Sequence, residues 1–163
     1  MINNSRNFVP TNIRVFYHIA REAYSEMNKT LKLGKKPKSC DEFGSVITYD
    51  AQQKTYKNAF ITIVFCGIFL ESLLHRLIVE QKGHATFIKY DYKSYKDKLE
   101  LLGCEDKAIL DDCIQFQGAR KEVVHEKCYV YNNHFRVAQK EAAFAMGLIQ
   151  KIVNYFDLEK RLE

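Results

Sequence analysis

Turn-forming residues are scarce in this chain. Its 163 residues include only two prolines and seven glycines, whereas folds rich in strands need more residues that favour turns. Hydrophobic residues make up 47% and aromatic residues 13%, which excludes a disordered chain. The length suits one domain with its own hydrophobic core. We therefore expect a single helical domain over residues 1–163.

Signals for a metal site, for secretion and for a membrane span are also lacking. The cysteines form no C-x-x-C pair and no Cys/His pair with zinc spacing; they are Cys40, Cys66, Cys104, Cys113 and Cys128. An odd number of unpaired thiols is typical of a reducing cytosol. The N-terminus has no basic-then-apolar pattern, and the most apolar run, residues 59–70, is shorter than the about 20 residues that cross a bilayer. We expect a cytoplasmic protein with no metal, no cofactor and no membrane partner.

Positive charge is concentrated near the N-terminus. The formal net charge is +5, and residues 1–40 carry eight Lys or Arg against two Glu. Such an excess favours a polyanionic partner, while a solvated helix face is the ordinary explanation. Charge alone leaves both interpretations open.

Apolar residues recur at helical spacing in most of the chain. They predict helices over about 11–30, from Asp50 to Gln81, over about 105–125 and over about 134–157, with a short helix at 94–103. We expect a loop over 31–49, a loop or short helix over 85–95, and no strand hairpin. The second helix is apolar on nearly every side, so it is expected at the centre of an all-α bundle of four to five helices.

A fixed cation and an imidazole lie close together near the end of the predicted fourth helix. The stretch GARKEVVHEKCYVY, residues 118–131, contains Arg120 and His125, with Lys121 and Lys127 beside them. Five residues place two side chains about 140° apart on an ideal helix. The pair therefore shares a site only if the helix ends or bends there, or if a second copy supplies the partner. Otherwise Arg120 is a surface cation and His125 is favoured by the helix dipole.

The stretch FQGARKEVVHE, preceded by the apolar GIFLESLLH on the central helix, resembles the HEPN domain superfamily. These domains are all-helical bundles of four or five helices whose signature is an Arg, then a His after four to six residues. Arg120 and His125 match it as R-x4-H. The resemblance implies a metal-independent endoribonuclease that acts as a homodimer in stress response or defence, as toxin–antitoxin systems do. The alternative is a non-catalytic HEPN-like module that binds nucleotide, RNA or a partner protein such as an antitoxin.

The resemblance implies a role for each residue of the motif. An imidazole such as His125 has a pKa suited to acid/base catalysis, and Arg120 can clamp the phosphorane through two hydrogen bonds. Lys121 stands where the family often has Asn, Asp or His; it can bind phosphate but cannot accept a hydrogen bond. Lys127 stands where one toxin subgroup often has Tyr. We expect Lys127 and Tyr129 to contact RNA, and assign no subgroup.

Glu71 is a further candidate. It follows twelve mainly apolar residues of the central helix, and a buried acid needs a partner. We expect Arg120 to be that partner, which would make Glu71 a supporting residue of the site. The alternative is a surface ion pair with Arg76 or with His75, which shares its helix face.

Residues 87–98 interleave four aromatic residues with four lysines. Aromatic rings can stack on unpaired bases while lysines follow the phosphates. The alternative is that the rings pack on the bundle and the lysines remain in solvent. The sequence leaves both open.

Overall fold

The computed structural model describes residues 8–37, 45–48, 50–124 and 137–162. Helices dominate this part of the chain, so the expected all-α class is confirmed. The described helices are α1 (Phe8–Leu33), α2 (Lys54–Lys82), α3 (His84–Tyr90), α4 (Tyr95–Leu101), α5 (Lys107–Val124), α6 (Ala138–Tyr155) and α7 (Glu159–Leu162).

A small hairpin follows α1. Its strands β1 (Lys35–Pro37) and β2 (Ser45–Ile47) pair antiparallel, with Lys35 opposite Ile47. Thr48 N donates to Gly34 O at 2.8 Å and closes the base of the hairpin. The prediction of a loop without a hairpin was wrong here. Strands of three residues are too short to show the alternation by which a strand is found.

The long helix α2 is the centre of the fold. It packs against α1, α3, α4, α5 and α6, and residues on several of its sides are fully buried, among them Ile63, Cys66, Phe69 and Leu74. The predicted central helix is confirmed. By length and composition alone α2 could cross a membrane, and 56% of its most apolar 18-residue window is buried in the fold. Packing inside the bundle accounts for this apolar stretch.

The short helix α4 is fixed by a capping box. Ser94 Oγ accepts from Asp97 N at 3.1 Å, and Asp97 Oδ2 accepts from Ser94 N at 3.1 Å. Two N–H groups that a helix start leaves unpaired are thereby satisfied. Because the start of α4 is defined in this way, Tyr95 and Lys98 are held one turn apart, and both are buried.

The apolar spacing of α5 predicts a buried face that includes Ile109, Leu110, Cys113, Ile114 and Phe116. Ile109, Leu110, Cys113 and Phe116 are buried, whereas Ile114 is 53% exposed. The prediction that Ile114 lies in the core was therefore wrong. It lies about 100° from Cys113 around the helix, outside the stripe that meets the other helices.

Free thiols lie in the core. Cys66, Cys104 and Cys113 are buried and unpaired. Burial raises the pKa of Cys66 and of Cys113 to about 12. Both therefore remain protonated at neutral pH and serve as small apolar side chains. Cys40 and Cys128 lie outside the described residues.

Candidate functional site around Arg120

Arg120 lies near the C-terminal end of α5 and crosses α2 at Gly67. A Cβ atom added to Gly67 would lie 2.2 Å from Arg120 Nε and 2.5 Å from its Cδ. No side chain at position 67 fits beside the arginine where it lies. Gly67 therefore provides the groove that holds the Arg120 side chain, although glycine inside a helix costs roughly 0.5–1 kcal/mol relative to alanine.

Tyr95 of α4 fixes the far end of the same arginine. Arg120 Nη1 donates to Tyr95 Oη at 2.9 Å, and Tyr95 Oη donates a long hydrogen bond of 3.5 Å to Gly67 O. The Tyr95 ring stacks on Phe116, with centroids 6.2 Å apart. Burial raises the pKa of Tyr95 to about 12, although the nearby Arg120 opposes the shift. The hydroxyl therefore stays neutral at physiological pH and both accepts and donates.

The guanidinium of Arg120 makes one hydrogen bond to the described residues. It carries five N–H donors, of which one on Nη1 binds Tyr95. Its Nε atom is buried and has no hydrogen-bond partner. The residue as a whole is half-buried. A guanidinium can also meet a phosphate or carboxylate through two parallel hydrogen bonds.

A buried lysine lies one turn further along α4. Lys98 is 1% exposed, and its Nζ donates to His75 Nε2 and to Asp91 O, both at 2.8 Å. Because Nε2 accepts, we assign the proton of a neutral His75 to Nδ1. Burial, and then the charge of Lys98, lowers the pKa of His75. Burial likewise lowers the pKa of Lys98, against the opposing charges of Glu71 and Asp91.

Glu71 lies between these two groups on α2. Its charge acts on Tyr95, on His75 and on Lys98. We expected Arg120 to be its partner; within the described residues Arg120 instead donates to Tyr95. The alternative pair with Arg76 is not formed either, because Arg76 Nε binds Glu80 Oε1 at 2.6 Å.

Six residues thus form one polar seam between the three helices α2, α4 and α5. They are Gly67, Glu71, His75, Tyr95, Lys98 and Arg120. The three on α2 are spaced by four residues and share one helix face. Sequence reasoning missed Gly67, Tyr95 and Lys98 as members. The signal that marks the α2 side is the recurrence of non-aliphatic residues every four positions in an otherwise apolar helix.

The two interpretations of residues 87–98 each fit only part of the stretch. Tyr92 is 98% exposed, as a base-stacking ring would be. Tyr95 is buried, as packing on the bundle requires. Lys98 is buried with it, which neither interpretation anticipated, because a lysine was expected in solvent or on a phosphate.

The remaining predicted site residues are distributed as follows. Lys121 is exposed on α5. His125, Lys127 and Tyr129 lie outside the described residues. Among the residues that the structure describes, no group of three or more His, Cys, Asp or Glu side chains could hold a metal ion.

Known proteins do not extend these observations. No protein-family model matches the chain, and neither a characterised protein nor a solved structure matches it. The resemblance to HEPN domains therefore stays a prediction that rests on Arg120, His125 and the order of the helices.

Proposed function

We propose that this chain is a metal-independent endoribonuclease of the HEPN type, acting in stress response or defence. In the proposal, Arg120 and His125 of two chains meet at a two-fold interface and form one composite site. The observation that supports it best is the position of Arg120, which Gly67 and Tyr95 hold at the start of the R-x4-H motif. A donor group that is fixed before the substrate binds stabilises developing charge without further reorganisation.

The proposed reaction uses the 2′-hydroxyl of the RNA itself as the nucleophile. His125 of one chain accepts the 2′-OH proton, the 2′-oxygen attacks the adjacent phosphorus, and the bond to the 5′-oxygen breaks. His125 of the second chain donates a proton to that leaving oxygen. The products are a 2′,3′-cyclic phosphate and a 5′-hydroxyl end. Arg120 binds the non-bridging oxygens, whose negative charge grows in the transition state, and Tyr95 positions Arg120.

The deciding experiment is cleavage of mixed cellular RNA by the purified chain in EDTA. We expect the wild type to cleave, and His125→Ala and Arg120→Ala to lose at least about 100-fold in rate, as removal of an acid/base or an oxyanion donor usually does. Arg120→Lys keeps the charge but loses the two-pronged hydrogen bond, so it should rescue little.

Two matched variants separate the site from general effects. His84→Ala removes an exposed histidine, and Arg161→Ala removes an exposed arginine of α7. Both should cleave like the wild type. Equal activity in all variants would identify a contaminant or another site and would refute the assignment. Size-exclusion chromatography with light scattering tests the dimer, because the composite site requires two chains.

The alternative is a non-catalytic HEPN-like module, and one observation favours it. Arg120 is integrated into the fold through its contacts with Gly67 and Tyr95, so it has a structural role even without a substrate. If the folded dimer binds RNA but cleaves none under any condition, the binding module replaces the nuclease.

A further inference from the structure

We propose that one edge of α1 is a second RNA-contact surface, which binds the phosphates and a base of a single strand away from the Arg120 site. This α1 edge consists of Tyr17, Arg21, Tyr24, Asn28 and Lys32. The choice of RNA as the polynucleotide rests on the proposed function. The surface itself rests on the arrangement of charge, rings and hollows along α1.

The five residues of the α1 edge lie on one narrow strip of the helix. At about 100° per residue, they fall within about 80° of arc. Arg21 and Lys32 are exposed, whereas Tyr17, Tyr24 and Asn28 are half-buried. Arg21 and Lys32 are about 16 Å apart along the axis, at 1.5 Å per residue. Proteins that bind single-stranded nucleic acid without sequence preference place cations along the phosphates and aromatic rings against the bases. The cations and rings of the α1 edge have this linear arrangement.

The acids of α1 lie on a different side. Glu22 and Glu26 are about 80 to 120° further round the helix than Lys32, and Glu26 Oε2 pairs with Lys29 Nζ at 3.8 Å. No ion pair with another described residue engages Arg21 or Lys32. Their charges are therefore not balanced within the described structure, and they lie in the segment, residues 1–40, that holds the charge excess of the chain.

Two adjoining surface depressions lie along the α1 edge. One of about 420 Å³ lies between α1 and α6 and is lined by Tyr17, His18 and Arg21 on one side and by Met146, Gln150 and Val153 on the other. Glu159 also lines this hollow, and its Oε1 accepts from Gln150 Nε2 at 3.1 Å. The second, of about 590 Å³, is a shallow open surface along α1 that is lined by α1 residues alone, including Tyr24, Asn28 and Lys32, and Arg21 lines both.

The chemistry of the first hollow suits a base. Tyr17 is rigid because its ring packs on Phe69, with centroids 5.3 Å apart, and Met146 adds an apolar wall. Arg21 at the junction of the two hollows can then bind the phosphate next to that base. Lys32 can bind a phosphate further along the strand.

The α1 edge lies on the other side of α2 from Arg120. The rings of α1 pack on Phe65 and Phe69, each two residues from Gly67, and two residues are about 200° on a helix. The edge therefore does not take part in cleavage. It would hold a strand whose scissile bond lies elsewhere on the dimer.

The test is binding of a fluorescent 20-nucleotide oligouridine by the full chain in a His125→Ala background, which leaves the probe uncleaved, measured as anisotropy at several salt concentrations. Each phosphate contact to a single strand contributes about 0.7 to the slope of log K against log salt. The double variant Arg21→Ala/Lys32→Ala should lower the slope by about 1.4 and weaken binding about 25-fold at 0.1 M salt. Tyr17→Leu should weaken binding about fivefold or more without a change in slope, because stacking does not release counterions.

The matched control is Lys82→Ala/Lys107→Ala, which removes the same charge from exposed positions of α2 and α5. It should keep the slope and affinity of the His125→Ala chain. Equal weakening by both double variants would show diffuse attraction and overturn the proposal, as would a His125→Ala chain that does not bind. Circular dichroism establishes that each variant is folded.

The two proposals fail in different ways. RNA cleavage that needs Arg120, together with binding that ignores Arg21 and Lys32, would refute the α1 edge alone. Binding that needs Arg21 and Lys32, without any cleavage, would refute the nuclease alone. A single-stranded DNA of the same length should give the same slope change, since the contacts are to phosphate.

Discussion

The substitution Gly67→Ala tests how Arg120 is held. The new Cβ would lie 2.2 Å from Arg120 Nε and 2.8 Å from its Cζ, so the arginine must leave its groove. Inserting a methyl group into a packed site costs about 1–3 kcal/mol, and the lost hydrogen bond of the charged donor to Tyr95 costs about 1.5–3 kcal/mol. Alanine regains about 1 kcal/mol in helix propensity. Because the two costs overlap, we expect a net loss of about 1–2 kcal/mol in the free energy of unfolding.

The effect of Gly67→Ala on the free energy of unfolding should change sign once the arginine is absent. In an Arg120→Ala background no guanidinium opposes the new methyl group, so Gly67→Ala should stabilise the chain by about 1 kcal/mol. The two positions should therefore be coupled by about 2–3 kcal/mol, at the upper end for residues in contact. Urea unfolding followed by circular dichroism measures the stability of the wild type, the two single variants and the double variant, which together form a double-mutant cycle.

Two other helical glycines provide the control. A Cβ on Gly118 or on Gly147 would meet nothing within 4 Å, so alanine at either should stabilise by about 1 kcal/mol in both backgrounds. If Gly67→Ala has the same effect with and without Arg120, the arginine does not lie over Gly67 and the account of the site is refuted.

Three further outcomes follow from the buried groups. Tyr95→Phe removes the acceptor of Arg120 Nη1 and should cost about 1.5–3 kcal/mol of stability in urea; an unchanged midpoint would show that the hydrogen bond contributes nothing. The pKa of His75 is lowered in the fold, so the unfolded state binds more protons as pH falls below the ordinary value of about 6.5, and stability should decrease there. His75→Gln should flatten the dependence of the urea midpoint between pH 7.5 and 5, and an equally steep dependence would rule His75 out as its cause. Cys66 and Cys113, whose pKa values are raised to about 12, should stay unmodified by iodoacetamide in the native chain and react in urea, as peptide mass spectrometry can show; native labelling at either would contradict their burial.

The helices were predictable because their signal is local and repeated. The apolar spacing in α1, α2 and α6 runs over 18 to 29 residues, and a pattern of that length identifies a helix reliably. The hairpin of three-residue strands and the four-residue α7 offer no such repetition. Ile114 was misplaced because an apolar residue at the border of a helical stripe can face either way.

The polar seam was only half predictable. Arg120 was found through its spacing to His125, and Glu71 because an acid follows an apolar run, but the partners of both come from α4, which the sequence could place only as a short helix. Lys98 shows the difficulty, since a lysine flanked by other charges is expected in solvent. Only the packing of α4 on α2 shows that His75 and the carbonyl of Asp91 accept hydrogen bonds from the ammonium group of Lys98.

The contact between Gly67 and Arg120 also constrains how this sequence can diverge. A substitution at position 67 destabilises the chain while the arginine is present, and the arginine fits over α2 best where a glycine already lies beneath it. The two positions, one on α2 and one on α5, should therefore covary among descendants of a common ancestor. Lineages that lose the arginine should replace the glycine with alanine or a larger residue, because helix propensity then favours the change.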